Sequence, residues 1–547
     1  MTVVDTPQRA PEMTHRERLE ALSGLMLVLF VALISSTIVS TALPRILGAL
    51  NGTRTQYTWV VTATLLTATA TTPIWGRLAD LFNKKLLVQI AIVIYVCGSL
   101  LAGVSQSAGE LIAARAFQGI GVGGLQALVQ IVIAAMIPPR ERGRYNGYLG
   151  AVMAVATVGG PLLGGLIVDT SWLGWRWCFF IGVPIAAIAF LLLQVTLHIP
   201  TVRRSDVKID YAGATLIAAG VSILLVWVSF VDSSFGWLSW QTAALVLPGL
   251  AILAAATWVE RRAAQPVVPL GIIRQRTPAL AILASLAVGM AMFGGAVFLG
   301  QYFQIGRGYS PTEAGLLTIP LMFGVLVAST ISGLLITRSG RIRPYIITGA
   351  TVLVLGFALL AFVDHRTSLV YMAAGMLLIG VGVGMTMQNL VLSVQNTVAL
   401  RDLGAASGAV TFFRSLGGTI GVSVLGAVLA HRVSSSIASH LPPGVSSGGG
   451  SLDSLNVNAL PPEILTVVRA AYGDATGHIF LISAVIAAVG LLAALFLPHV
   501  TLRSSIDLPE PGGPAEPVLI SEAKSQPAPL AVTPHPRLGS STADRES

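Results

Sequence analysis

Charge is scarce in this sequence. Asp, Glu, Lys and Arg make up 10% of 547 residues and hydrophobic residues 54%, against roughly 25% charged residues in ordinary soluble domains. A water-facing surface of normal polarity cannot be built from that composition, so the chain reads as an integral membrane protein. Acid is lacking inside the apolar runs: Glu110, Asp169, Asp232, Glu313 and Asp364 all fall at run ends. The two cysteines, Cys97 and Cys178, give neither a disulfide framework nor metal-ligand spacing. The eight histidines are dispersed, with His15, His198, His365, His431 and His440 in loops or run ends, so no histidine cluster supports a membrane enzyme. A G-x-x-x-x-G-K-[ST] stretch is also missing, and the soluble segments are too small for an ATPase domain. No cofactor is expected. The net charge of +9 does not imply nucleic acid, because the basic residues are scattered one to four at a time.

What the chain does have is apolar runs. About fourteen of roughly 20 or more residues follow one another, each long enough for a hydrocarbon core of about 30 Å. Alternate connections carry the positive charge: Lys84 and Lys85; Arg140, Arg142 and Arg144; Arg203, Arg204 and Lys208; Arg261, Arg262, Arg274 and Arg276; Arg338, Arg341 and Arg343. The positive-inside rule then places both termini in the cytoplasm of a multi-pass cell-membrane protein. Trp172, Trp175, Trp177, Trp237 and Trp240 fall at the outer ends of runs, where indole prefers the headgroup layer. Residues 1–22 are polar, with a short amphipathic helix opening on the capping-box spacing of Thr14 and Glu17. Residues 433–476 are expected to be a long outer loop, and 500–547 a disordered cytoplasmic tail rich in Pro, Ser and Ala.

Between the second and third runs lies Gly76-Arg77-Leu78-Ala79-Asp80-Leu81-Phe82-Asn83-Lys84-Lys85, a connection too short to be a domain. A second version, Gly333 through Gly340 and Arg341 to Arg343, ends a later run at an offset of 333 − 76 = 257 residues. Matching basic turns at corresponding points of two halves fit an internally duplicated transporter.

Inside the runs, Arg115 sits about two turns into the fourth, a position costing about 2.5 to 3.5 kcal/mol on insertion scales, so it must face the interior. Gly119, Val122, Gln126 and Gln130 follow it on one helical face. The fifth run contains Gly159-Gly160-Pro161-Leu162-Leu163-Gly164-Gly165, a bendable surface that admits close helix packing. Thr64, Thr67 and Thr71 form one uncharged stripe, and Thr386, Asn389, Ser393 and Asn396 another. Such stripes either join helices or line a cavity for varied, largely apolar molecules.

These stretches resemble the major facilitator superfamily, and within it the fourteen-helix drug:proton antiporters. G-x-L-A-D-x-x-x-K-K is similar to the superfamily's signature loop, with Asn83 where that pattern has a second glycine. Asparagine tolerates the left-handed backbone, so the turn is expected to survive. The resemblance places a cytoplasmic latch on Gly76, Asp80, Lys84 and Lys85, with Gly333, Gly340 and Arg341 in the second copy. R-x-x-Q-G-x-G resembles the fourth-helix motif and implicates Arg115 in proton coupling. G-P-x-x-G-G, with Gly160, Pro161, Gly164 and Gly165, resembles the motif of exporting members. Trp175 to Pro184, Tyr302-Phe303-Gln304 with Gly308 to Gly315, and Arg414-Ser415-Leu416-Gly417-Gly418 extend the likeness over nearly the whole bundle. Ser35 and Ser40 depart from it, standing where many members carry aspartate and asparagine, which weakens the case for cationic substrates.

The fold expected is an all-α major facilitator bundle: a six-helix domain over 23–200, two linker helices over 201–276 and a second six-helix domain over 277–499. The function implied is secondary export of hydrophobic small molecules, drugs or antibiotics, in exchange for protons by alternating access, as a monomer in the bilayer. Export of a lipid or self-made metabolite is the alternative within transport; a polytopic enzyme or a transport-inactive sensor lies outside it. Candidate cavity residues are Ser35, Ser36, Ser40, Gln126, Gln130, Gln304, Asn389 and Arg414. Arginine cannot release its proton near neutrality. Asp169 or Glu313, protonated through burial, is therefore expected to carry it, with Arg115 aiding release.

Overall fold

The structure, a computed structural model, describes residues 15–51, 54–170, 172–198, 210–231, 235–263, 266–268, 270–440 and 462–505. Fourteen long helical segments follow in order: α1 (His15–Ala49), α2 (Arg54–Leu81), α3 (Lys84–Val104), α4 (Ala108–Met136), α5 (Pro139–Asp169), α6 (Trp177–Thr196, broken at Ile181), α7 (Tyr211–Phe230), α8 (Trp240–Glu260), α9 (Arg276–Gln301), α10 (Ile319–Ser339), α11 (Arg343–Leu360), α12 (Leu369–Gln395), α13 (Leu403–His440) and α14 (Pro462–Leu495). A short turn, Pro311–Leu317, precedes α10. Residues 15–22 and the first apolar run form one continuous helix rather than two, and the expected Thr14 cap lies outside the described residues.

Helix starts are written in the sequence. The Ser107 hydroxyl accepts from the Glu110 N–H at the head of α4, Asp210 from Gly213 at α7 and Ser368 from Tyr371 at α12. Gly340 ends α10 in the left-handed conformation, φ 68°, which glycine adopts without a Cβ clash. Asn83 does not do so: with φ −62° and ψ 116° it is the N-cap of α3, its side chain accepting from the N–H groups of Lys85 and Leu86. Asparagine is retained there as a cap, a role it fills better than the glycine of the pattern.

Among the described residues, thirteen helices are long and apolar enough to cross a membrane. The other long helix is α2, 28 residues, whose threonines lower its hydropathy. Those hydroxyls are satisfied internally: Thr67, Thr71 and Thr72 donate to the carbonyls of Ala63, Thr67 and Ala68. Such back-bonding removes the cost of carrying them into a bundle. Around the periphery, Ile188, Leu191 and Val195 on α6 and Leu481, Val485 and Val489 on α14 are exposed, an apolar mantle suited to lipid. Trp172 and Trp240 stand out at helix ends, 79% and 76% exposed.

Packing groups α1 to α6 around α4 and α1, and α9 to α14 around α12 and α9. Two pairs dominate the packing between the groups, α2 with α13 and α5 with α10, with smaller contacts of α4 with α13 and α5 with α12. Helices α7 and α8 pack on each other, with α7 also touching α2 and α13. Two expectations change. Residues 433–440 continue α13 and 462–476 belong to α14, so of the expected outer loop only 441–461 are left, and these lie outside the described residues. Residues 500–505 pack on the body instead of trailing away, and 506–547 lie outside the described residues.

Candidate functional site

The basic turns gather at one end of the bundle, where helices from the two groups meet. Asp80, in the last turn of α2, has no exposed side-chain surface. Its Oδ1 accepts from the Gly404 N–H at 2.6 Å and its Oδ2 from the Ala405 N–H at 2.8 Å. These are free N–H groups of the first turn of α13, so Asp80 caps that helix from another helix, where a negative charge is most favoured. Arg77 stands 3.9 Å from the same carboxylate. The approach is possible because α2 and α13 cross on glycines: a Cβ on Gly76 would lie 2.6 Å from the Gly404 carbonyl oxygen, and one on Gly404 would collide with Gly76 and Asp80.

The second copy solves the same problem with the opposite charge. Thr337 replaces Asp80, and its hydroxyl returns to the Gly333 carbonyl. Arg140, at the start of α5, instead points its guanidinium at the last carbonyls of α10, 3.3 Å from Thr337 and 3.5 Å from Arg338. A cation at a helix C-terminus thus stands where the first copy has an anion at an N-terminus. Glycine again sets the crossing, a Cβ on Gly143 lying 2.5 Å from the Gly333 carbonyl oxygen. Lys85 donates to the Gln194 carbonyl at 2.6 Å and so caps the end of α6; Lys84 opens α3. Arg341 pairs through its backbone with Thr501.

A third tie was not foreseen. Arg142 is buried and donates to the carbonyls of Ile137 and Ala134 and, at 3.0 Å, to Gln395 Oε1. The Gln395 amide donates onward to Ser407 at 3.0 Å, linking α5, α12 and α13. Over this lies the segment after α14. The Arg503 N–H donates to Asn396 Oδ1, its guanidinium to the carbonyls of Gln395 and Val398, and its carbonyl accepts from the Arg140 N–H. Its sequence signal is faint, one arginine past the last apolar run.

Arg115 faces the interior, but with different partners from those on its expected stripe. It is buried, donates to Gln118 Oε1 at 2.6 Å, and lies 6.0 Å from the Phe179 ring. Gln118 donates to Ser99 at 2.7 Å, and Tyr95 bonds Ser99 and Ser35. The cluster joins α1, α3 and α4. Gly119 instead packs on Thr64 and Thr67 of α2, and Thr64 donates to the Arg115 carbonyl.

Neither expected proton carrier meets Arg115 among the described contacts. Glu313 is exposed: its carboxylate accepts from the Ser310 N–H and hydroxyl in a capping box before α10. Ser310-Pro311-Thr312-Glu313 is the S-x-x-E signature, and a carboxylate already capping at the surface is not the buried acid anticipated. Asp169 closes α5, and its side chain lies outside the described residues.

The cavity candidates do not form one group. Ser35 is buried against Tyr95, and Ser40 is exposed and bonded to the Thr37 carbonyl. Ser36 and Gln126 are half-buried. Gln304 is exposed in the π-helical turn Tyr302–Gly306, at the end opposite the basic turns. The Asn389 amide donates to the Met385 carbonyl of its own helix. Gln130 lines a small cavity between α4, α5 and α12 with Arg142, Leu149, Gln388, Leu392 and Gln395. Arg414 is buried in α13. In the fifth-helix motif, Gly160 lets Thr37 of α1 close in, and the Thr37 hydroxyl donates to the Ala156 carbonyl. Gly164 is buried and Gly165 half-buried in the same helix, and the Pro161 side chain lies outside the described residues.

The comparisons agree with this geometry. Residues 25–422 match the Major Facilitator Superfamily. The chain is 32% identical over 510 residues to the multidrug transporter protein MdtP of Bacillus subtilis (strain 168), covering 88% of this chain and 93% of that protein. It is 31% identical over 503 residues to the efflux pump dotC of Dothistroma septosporum, covering 90% and 85%. The solved proton:xylose symporter XylE superposes with a TM-score of 0.57 at 15% identity, covering 90% of this chain and 98% of that one, a likeness of fold. With its glycine crossings and charge-capped helix ends in place, the chain belongs to the major facilitator superfamily and is a multi-pass membrane transporter, not an enzyme.

Proposed function

We propose that this transporter exports hydrophobic small molecules from the cell in exchange for protons by alternating access, with both termini cytoplasmic. The observation that carries the reading is the pair of crossings at the basic end. Each is held by glycine contact and one charge at a helix terminus, closed enough to bar passage and weak enough to reopen. The G-P-x-x-G-G stretch of α5 and the efflux and multidrug names of the relatives support outward transport. The energy source we infer is the proton gradient. Asp80 is the acid we assign to coupling in place of Glu313, because a proton there would remove the charge that holds the first turn of α13.

Everted membrane vesicles test this directly. Imposing an inward-acid gradient should drive accumulation of apolar fluorescent compounds, and each should release protons as it enters. Accumulation that is indifferent to the gradient would refute proton coupling; no accumulation across a chemically varied panel would refute export.

Topology has its own expected result. With Cys97 and Cys178 replaced, a cysteine at Ser447 should react with a membrane-impermeant thiol reagent on whole cells, and one at Ser525 should not. Labelling of Ser525→Cys in intact cells would place the carboxyl terminus outside.

A further inference from the structure

Arg414 carries the observation that the transport cycle above leaves unused. It shares one face of α13 with two hydroxyls: Ser407, Thr411 and Arg414 are separated by four and three residues, the helical spacing that aligns side chains. All three are buried. Ser407 is engaged by Gln395, but the Thr411 hydroxyl and Arg414 Nη1 are buried with no hydrogen-bond partner. Across the interface, Gln130 Oε1 on α4 is likewise unpartnered, and α4 packs against α13.

The depth matters. Arg414 lies 414 − 403 = 11 residues into α13, about 17 Å along its axis at about 1.5 Å per residue, well inside a bilayer. A buried cation at such depth is ordinarily matched by an acid or by several carbonyls. Arg115 has Gln118, and Arg142 has three acceptors. Among the described residues no carboxylate forms an ion pair with Arg414, and the runs hold no acid near their middle. One turn beyond, at Gly418, the neighbouring Phe293 of α9 is 39% exposed, which adds an apolar surface beside the charge.

We propose that Arg414, with Thr411 beside it, recognises a single acidic group on a largely apolar substrate, so that the molecules carried are amphipathic organic acids. The guanidinium pairs with a carboxylate, the Thr411 hydroxyl donates to it, and the apolar body lies along the Phe293 side. This rests on the reading of the chain as an exporter of small hydrophobic molecules and narrows it.

Equilibrium binding to the purified full-length protein in zwitterionic detergent tests it without reference to direction or energy source. The probes are matched sets of naphthyl- and pyrenyl-alkanoic acids, their methyl esters and the corresponding amines. The acids should bind at least about tenfold more tightly than esters or amines, the scale of one charge-assisted hydrogen bond. Arg414→Gln should abolish that preference while leaving ester binding within about twofold; Arg414→Lys should keep the sign of the preference. Adding phosphatidylglycerol in one arm should leave acid binding unchanged; strong competition would make the anion a lipid headgroup and overturn the small-molecule assignment. Equal binding of acids and esters by the parent protein, or no acid binding at all, overturns the proposal even if Arg414→Gln fails to fold. If acids bind selectively yet no vesicle accumulation occurs, the export reading fails and this one stands.

Discussion

Replacing Asp80 with asparagine will lower efflux at least about tenfold at matched expression, while the protein still inserts and purifies as a single species. The substitution keeps the size of the side chain and one acceptor oxygen but removes the charge from two N–H groups at the start of α13. Charge-assisted bonds at a buried helix N-terminus are worth about 2 kcal/mol beyond neutral ones, a shift of about 30-fold in the balance between closed and open basic ends. A spin-label distance between the basic ends of α2 and α13 should lengthen in the variant. Substrate entry should also become less tightly coupled to proton release, since asparagine imitates the protonated acid permanently. Unchanged efflux and unchanged distances would show Asp80 to be an ordinary loop acid.

Gly76→Ala is expected to be damaging by a different route. In an ordinary helix this change adds about 1 kcal/mol of stability through propensity. Here the new methyl lies 2.6 Å from the Gly404 carbonyl oxygen, a backbone atom that cannot move aside alone. The helices must separate, at about 1 to 3 kcal/mol for overpacking, and Asp80 loses its reach to α13. Efflux should fall below about a fifth of the parent's, and Gly143→Ala at the second crossing should behave alike. Gly48→Ala, with nothing within 4 Å of its Cβ, is the matched control and should be neutral. Equal activity in all three variants would mean that the closed basic end plays no part in the cycle.

Much of this molecule was readable before any coordinates. Low charge and long apolar runs determined that it lives in a bilayer, because no other solvent accepts such a surface. The alternation of basic connections and the family itself were also legible, and the helix caps that the structure shows at Ser107, Asp210, Ser310 and Ser368 rest on equally local chemistry. Asp80 could be singled out as the acid of a short turn, yet its partners Gly404 and Ala405 lie more than three hundred positions away, and nothing in linear spacing points to them. Arg142 reads as one basic loop residue among several until tertiary packing buries it against Gln395. Glu313 illustrates the converse: its S-x-x-E signal is local, and a carboxylate committed to that surface cap is not a buried acid. What only the tertiary structure decided is which polar groups meet across helices and which are left without a partner. The sequence fixes the face of a helix through its period; the neighbour that covers that face depends on how fourteen helices pack, and that is a property of the whole chain.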